Sequence, residues 1–185
     1  IEAVRLILRK GLARVILIEN GKKINIPEHK SLDIIDIGFS GQFAAEYLKI
    51  RRKKNPFYSP AIAEKDLRDP LIFACMLLRK NFAHAVVAGS VYNTGAVIRN
   101  AINIVGLSKK NRTVSSFFLF TFPNKHLLHE KEIFFADCGV LPNPTPAQLS
   151  DIAVQTSANY RKLTGSRPKT AFLSFSTKGS AKDSS

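Results

Sequence analysis

A strand-like run, a glycine-bearing turn and a helix follow one another between Ala85 and Leu107, in AVVAGSVYNTGAVIRNAINIVGL. That order constrains the fold more than any other stretch, because a strand feeding a helix through a tight turn is the repeating unit of an α/β layer. Val86 and Val87 supply the β-branched start and read as a buried strand. Gly89, Asn93 and Gly95 punctuate the turn, which carries Ser90, Tyr92 and Thr94. Val97, Ile98, Ala101, Ile102 and Val105 then recur at helical spacing as far as Gly106. A helix leaving such a turn exposes unpaired N–H groups backed by the positive end of its dipole, and both attract an anion. Arg99 falls near the end of the first helical turn, where its guanidinium can reach that anion as a fork of donors. An acyl phosphate or free phosphate fits there. Taken alone, the same residues are explained slightly better by a purely structural turn, with Arg99 solvated or paired to a surface carboxylate.

Helix and strand alternate on both sides of this unit. Val4, Ile7, Leu8 and Leu12 give an amphipathic helix over Glu2–Leu12, and ARVILI is a short buried strand closed by Asn20-Gly21. Residues 22–37, with INIP and LDIIDI, read as edge strand and loop. A helix is expected from about Gly41 to Arg52, Pro56 and Pro60 break the chain, and a second helix runs from about Asp69 to Lys80 with Pro70 at its first position. This alternation predicts a mostly parallel sheet, whose ligands sit beyond the carboxyl ends of the strands, where the turn before Gly95 lies. The texture changes from Lys109. Aromatic strands ending at Phe122 and in IFFAD, joined by PNKHLLHE, suggest a β-hairpin, and Thr145 with Gln148 forms a capping box for a helix to about Leu163. A last strand, TAFLSFS, ends in a loop bearing Ser176, Thr177 and Lys178. The expected domains are 1–108 and 109–185, and one hydroxyl- and glycine-bearing loop in each suggests a shared cleft.

The formal charge of +14 raises a nucleic-acid module as one function class. Its basic residues are scattered, however, with one dense cluster at Arg51, Arg52, Lys53 and Lys54 that a polyphosphate cofactor explains as well as a nucleic-acid backbone does. A bias towards Lys, Ile and Asn together also follows from an AT-rich genome. With 45% hydrophobic residues the chain is globular rather than disordered. No apolar run reaches membrane-spanning length. Cys75 and Cys138 read as reduced core residues of a cytoplasmic protein. His29, His84, His126 and His129 form no ligand-spaced pairs, so no metal site is expected, and no Ser-His-Asp arrangement is visible.

AGSVYNTGAVIR, FADCGVLPNPTPAQLSDIA and AFLSFSTKGSA, in that order, resemble the phosphate acetyltransferase (phosphotransacetylase) family within the wider phosphate acetyl/butyryl transferases, and GLARVILIEN and YLKIRRKKN resemble its N-terminal segments. The resemblance implies transfer of an acetyl group between coenzyme A and inorganic phosphate. It also implies two domains of mostly parallel sheet flanked by helices, isocitrate/isopropylmalate dehydrogenase-like, with the active site in the cleft between them, no metal, and a homodimer. By that resemblance Arg99 and Thr94 contact the phosphate end of the substrate and Arg51 binds coenzyme A or phosphate, with Asn93 and Ser90 beside them and Ser176, Thr177 and Lys178 in the second loop. Asn93 stands where the family usually has Ser, Tyr92 where it often has His, and Ala96 where it usually has Asp. The family's S-R-G-C segment and downstream aspartate do not occur in the sequence, and neither does a strand ahead of Ile1. The expectation is therefore a chain truncated at both ends, with its second domain incomplete, that supplies at best the phosphate-holding half of the site, binds weakly or not at all, and gives no turnover by itself. A preference for butyryl groups and a degenerate, non-catalytic binding protein remain as alternatives.

Overall fold

A computed structural model describes residues 1–108, 111–122, 132–173 and 180. The chain divides into two compact units, Ile1–Gly106 and Leu107–Ser185. In the first, helix α1 (Glu2–Arg9) precedes strands β1 (Val15–Glu19) and β2 (Leu32–Asp36). These pair in parallel, with Val15 opposite Leu32 and Glu19 opposite Asp36. A 3-10 segment, Ile37–Phe43, leads into helices α2 (Ala44–Arg52), α3 (Pro60–Asp66), α4 (Pro70–Arg79) and α5 (Thr94–Asn100). The last continues into a π turn, Ala101–Val105, closed by Gly106 at φ 88°, a left-handed conformation that suits glycine. Phe43, Tyr47, Leu67, Phe73, Met76 and Ile104, each at most 4% exposed, make the centre of this unit.

Local chemistry sets where these helices begin. Asp69 accepts the Leu71 and Ile72 N–H groups at 2.8 and 3.3 Å, and Pro70 occupies the first helical position, where a missing N–H costs nothing. The same device opens α3: Ser59 Oγ accepts the Ile62 N–H at 3.2 Å and Pro60 follows. The sequence reading took Pro60 as a break in the chain. It is instead the first residue of a helix.

Two strand expectations are corrected. Val86 and Val87 lie in irregular chain, and Val87 is fully exposed. A β-branched pair becomes a strand only where a ladder partner exists, and the two strands described in this unit pair with each other. In the second unit Thr170–Leu173 forms no strand, with Phe172 and Leu173 exposed. Residues 174–176 of that expected strand lie outside the described residues.

The second unit does contain the expected aromatic strands, β3 (Phe117–Thr121) and β4 (Glu132–Ala136), paired antiparallel with Phe118 opposite Phe135. The described strands therefore make one parallel and one antiparallel pair, an α/β arrangement that is not mostly parallel. Helix α6 (Pro146–Thr164) starts with the full capping box: Thr145 Oγ1 accepts the Gln148 N–H, and Gln148 Oε1 accepts the Thr145 N–H. Phe134 stacks on Phe117 at 4.6 Å and meets Tyr160 of α6 edge-on at 5.2 Å, so one face of the hairpin is covered. The opposite face presents Phe118, Phe120 and Phe135, which are 57%, 44% and 52% exposed. Asp151 Oδ2 accepts the Arg112 and Thr113 N–H groups, pinning the approach to β3 onto α6.

Candidate functional site

The loop before α5 is anchored at Tyr92. Its ring packs against the core of the first unit, and its hydroxyl donates to Asp69 Oδ1 at 3.0 Å, the oxygen that also caps α4. Burial raises the Tyr92 pKa, and the hydrogen bond to Asp69 adds to the shift, so the phenol keeps its proton. Asn93 follows in extended conformation as the N-cap of α5, and its Oδ1 accepts the Ala96 N–H at 2.9 Å. That commits the oxygen of Asn93 and leaves its amide NH2 as the free end. The first N–H groups of a helix have no intrahelical acceptor, and with Ala96 satisfied those of Thr94 and Gly95 remain to be met.

Arg99 is one turn further on, and i and i+4 share a helix face. Its Nη1 lies 3.8 Å from the point that a Cβ on Gly95 would occupy, so the guanidinium folds back over the first turn. The structure thus brings together Asn93, Thr94, Gly95 and Arg99. Two N–H groups and a hydroxyl on the first turn, with a fixed positive charge beside Gly95, share one exposed stretch, and these are donor types suited to a tetrahedral oxyanion.

The other expected site residues are placed differently. Ser90 is exposed in the irregular segment ahead of the loop and makes no hydrogen bond among the described residues. Arg51, on α2, lays its guanidinium carbon 4.8 Å over the ring of Tyr58, which leaves only its N–H edge for a ligand. Next to it, Arg52 Nε donates to the Tyr58 carbonyl at 3.1 Å, and Lys54 Nζ donates to Asn103 Oδ1 at 2.6 Å. The basic cluster is thus partly spent on joining elements of the first unit. Lys49 and Lys53 line a shallow groove with Glu46, Ile50 and Arg79. Ser176, Thr177 and Lys178 lie outside the described residues, as do His126 and His129.

Neither cysteine has the setting of a nucleophile. Cys75 is buried, and burial pushes its thiol up to about 11. Cys138 is half-buried beside the Ser116 hydroxyl at 3.3 Å. Among the described residues no group of His, Cys, Asp and Glu could hold a metal ion, and no helix is long and apolar enough to cross a membrane. Sequence reasoning missed the Tyr92–Asp69 tether and the role of Arg79, whose Nη1 donates to the Ile104 carbonyl at 2.6 Å. Asp69 carried a local signal as an N-cap. Its phenol partner, 23 residues away, carried none.

The family profile described as "Phosphate acetyl/butaryl transferase" matches residues 1–185. A phosphate acetyltransferase of Treponema pallidum is 37% identical over 195 residues, covering all of this chain and 57% of that protein. A phosphate acetyltransferase of Clostridium acetobutylicum is 36% identical over 186 residues, covering 95% of this chain and 55% of that protein. Among solved structures, a phosphotransacetylase from Streptococcus pyogenes superposes with a TM-score of 0.78 at 27% identity, covering 99% of this chain and 56% of that one. The chain spans about half the length of the curated relatives it matches. With a match that runs from its first residue to its last, this chain belongs to the phosphate acetyl/butaryl transferase family.

Proposed function

We propose that the protein to which this chain belongs moves an acetyl group between coenzyme A and inorganic phosphate, and that the loop at Asn93–Arg99 holds the phosphate end. The observation that carries the reading is Arg99 Nη1 3.8 Å from the position of a Cβ on Gly95, beside a first turn whose Thr94 and Gly95 N–H groups have no intrahelical acceptor. In the direction of acetyl-CoA formation the coenzyme A thiol attacks the acetyl carbonyl, the carbon–oxygen bond to phosphate breaks, negative charge grows on the leaving phosphate, and the thiol proton passes, directly or through water, to the phosphate oxygen released. Arg99, the Thr94 hydroxyl and the two N–H groups supply donors where that charge grows. The Asn93 amide is a further donor, and Ser90 lies upstream on the same loop. Arg51, by its N–H edge, offsets charge on the coenzyme's phosphates, and Ser176, Thr177 and Lys178 form a second polar loop for substrate. No metal is needed for this step. The same reading makes the whole protein a cytoplasmic homodimer of isocitrate dehydrogenase-like α/β domains, with the domain boundary of this chain near residue 109.

Titration of the chain with inorganic phosphate, followed through the amide signals of Thr94 and Gly95, tests the reading. Hydrogen bonds to a charged group are worth about 1.5–3 kcal/mol, so Arg99→Gln is expected to weaken phosphate binding by about tenfold to a hundredfold. Equal binding by parent and variant would overturn it.

A further inference from the structure

Helix α4 touches the α5 region at both ends. Asp69, its N-cap, receives the Tyr92 hydroxyl just ahead of α5, and Arg79, its last residue, donates to the carbonyl of Ile104 in the π turn that ends the same helical stretch. Start meets start and end meets end, so the two stretches run parallel. Their lengths match: at a rise of about 1.5 Å per residue, Asp69 to Arg79 and Thr94 to Ile104 each span about 15 Å. Both tethers are held from behind. The Tyr92 ring packs against the core, Ile104 is 1% exposed, and Arg79 is itself oriented by Glu46 at 3.2 Å, which also binds Lys80 at 2.9 Å.

The π turn gives these tethers something to resist. It is closed by the Gly106 N–H donating to the Ala101 carbonyl at 3.0 Å, one residue wider than an α turn. Were that extra residue to shift along the stretch, the part upstream would rotate by about 100°, the angle between successive α-helical residues. Such a rotation would carry Arg99, together with the Thr94 and Gly95 N–H groups, off the face that the Tyr92 loop now holds.

We propose that α4 is a two-ended brace that fixes the rotation and axial position of α5, with Tyr92 and Arg79 as positioning residues for Arg99. The link to phosphate rests on the proposed role of Arg99, whereas the brace stands on the two tethers. Arg79→Met removes the rear tether while keeping an apolar stem, and Tyr92→Phe removes only the hydroxyl of the front one.

The test reads sites remote from each change. In Arg79→Met, amide hydrogen exchange at Ala96–Ile98 is expected to quicken by about tenfold, and the Arg99 Nε–H resonance to shift. In Tyr92→Phe, the amides of Ile102–Gly106 are expected to respond likewise, and Arg79→Lys, which keeps one donor, to restore part of the protection. Unchanged exchange and an unmoved Arg99 resonance in both variants would overturn the brace. Inorganic phosphate affinity should fall by about fivefold in each variant, whereas Arg99→Gln should lose affinity without altering exchange. Faster exchange with full phosphate affinity, in a protein where Arg99→Gln loses it, would refute Tyr92 and Arg79 as positioning residues. Should Arg99→Gln bind as the parent does, the proposed function fails while exchange still judges the brace.

Discussion

Replacing Asp66 by alanine separates two opposite expectations. As the last residue of α3, Asp66 puts a negative charge at the negative end of the helix dipole, so helix electrostatics alone make its removal stabilising by about 0.3–1 kcal/mol. The tertiary structure says otherwise. Tyr47 and Tyr58, 1% and 7% exposed, both donate to Asp66 Oδ2, the first at 3.2 Å. Their rings meet edge-on at 6.4 Å, which fixes both hydroxyls on the one acceptor. Asp66→Ala leaves two buried donors unmet at about 1–3 kcal/mol each, a loss of about 2–6 kcal/mol that overwhelms the dipole gain. At a urea slope of about 1–2 kcal/mol per molar, a loss of about 3 kcal/mol lowers the unfolding midpoint by about 1.5–3 M. Removing donors and acceptor together, in Tyr47→Phe/Tyr58→Phe/Asp66→Ala, should recover most of it, because no orphan is left. Urea unfolding followed by circular dichroism measures both. A neutral or stabilised Asp66→Ala, or a triple variant as unstable as the single one, refutes the reasoning.

Alkaline pH should destabilise the first unit. Burial raises the pKa of Tyr47, Tyr58 and Tyr92, and that of Cys75 to about 11, so the folded chain keeps protons that the unfolded chain releases. Their stabilisation is complete below about pH 8.5 and is lost as pH rises through the range above about 9–10, at up to about 1.4 kcal/mol per pH unit per group. A urea midpoint constant from about pH 8 to pH 11 would contradict this. Phe73→Ala removes a fully buried ring 5.9 Å from Phe43 and should cost about 3–5 kcal/mol in the same unfolding assay. Thr145→Ala dismantles the capping box of α6 and should cost about 0.5–2 kcal/mol, read as faster amide exchange in its first turn, whereas Thr145→Asp should keep most of the protection.

What was legible in the sequence was local. The Asp69-Pro70 start of α4 and the Thr145/Gln148 box of α6 are written within four residues, and the structure carries both. Ser59-Pro60 held the same signal, but a proline read as an interruption hid it. Val86 and Val87 show the limit of propensity, since a strand is a property of two segments and one of them alone cannot declare it. At the site, helical spacing put Arg99 near the end of the first turn, and with Asn93 as the N-cap it stands one turn further on, in the last turn of α5. The commitment of Asn93 Oδ1 to the Ala96 N–H needed the cap geometry, and the stacking of Arg51 on Tyr58 needed the fold. Tyr92 stands where the family often has His, and its hydroxyl faces Asp69.

The uncovered side of the β3–β4 hairpin bears on how this polypeptide behaves in a tube. Phe118, Phe120 and Phe135 form a contiguous aromatic strip, with Phe120 and Phe135 at 5.3 Å, on strands that are themselves the whole of their described sheet. Wet strips of this kind bind reporter dyes and other strips alike, and sulfate or phosphate buffers strengthen the attraction by favouring burial. Handling the isolated chain at low protein concentration and in a weakly salting-out buffer follows directly.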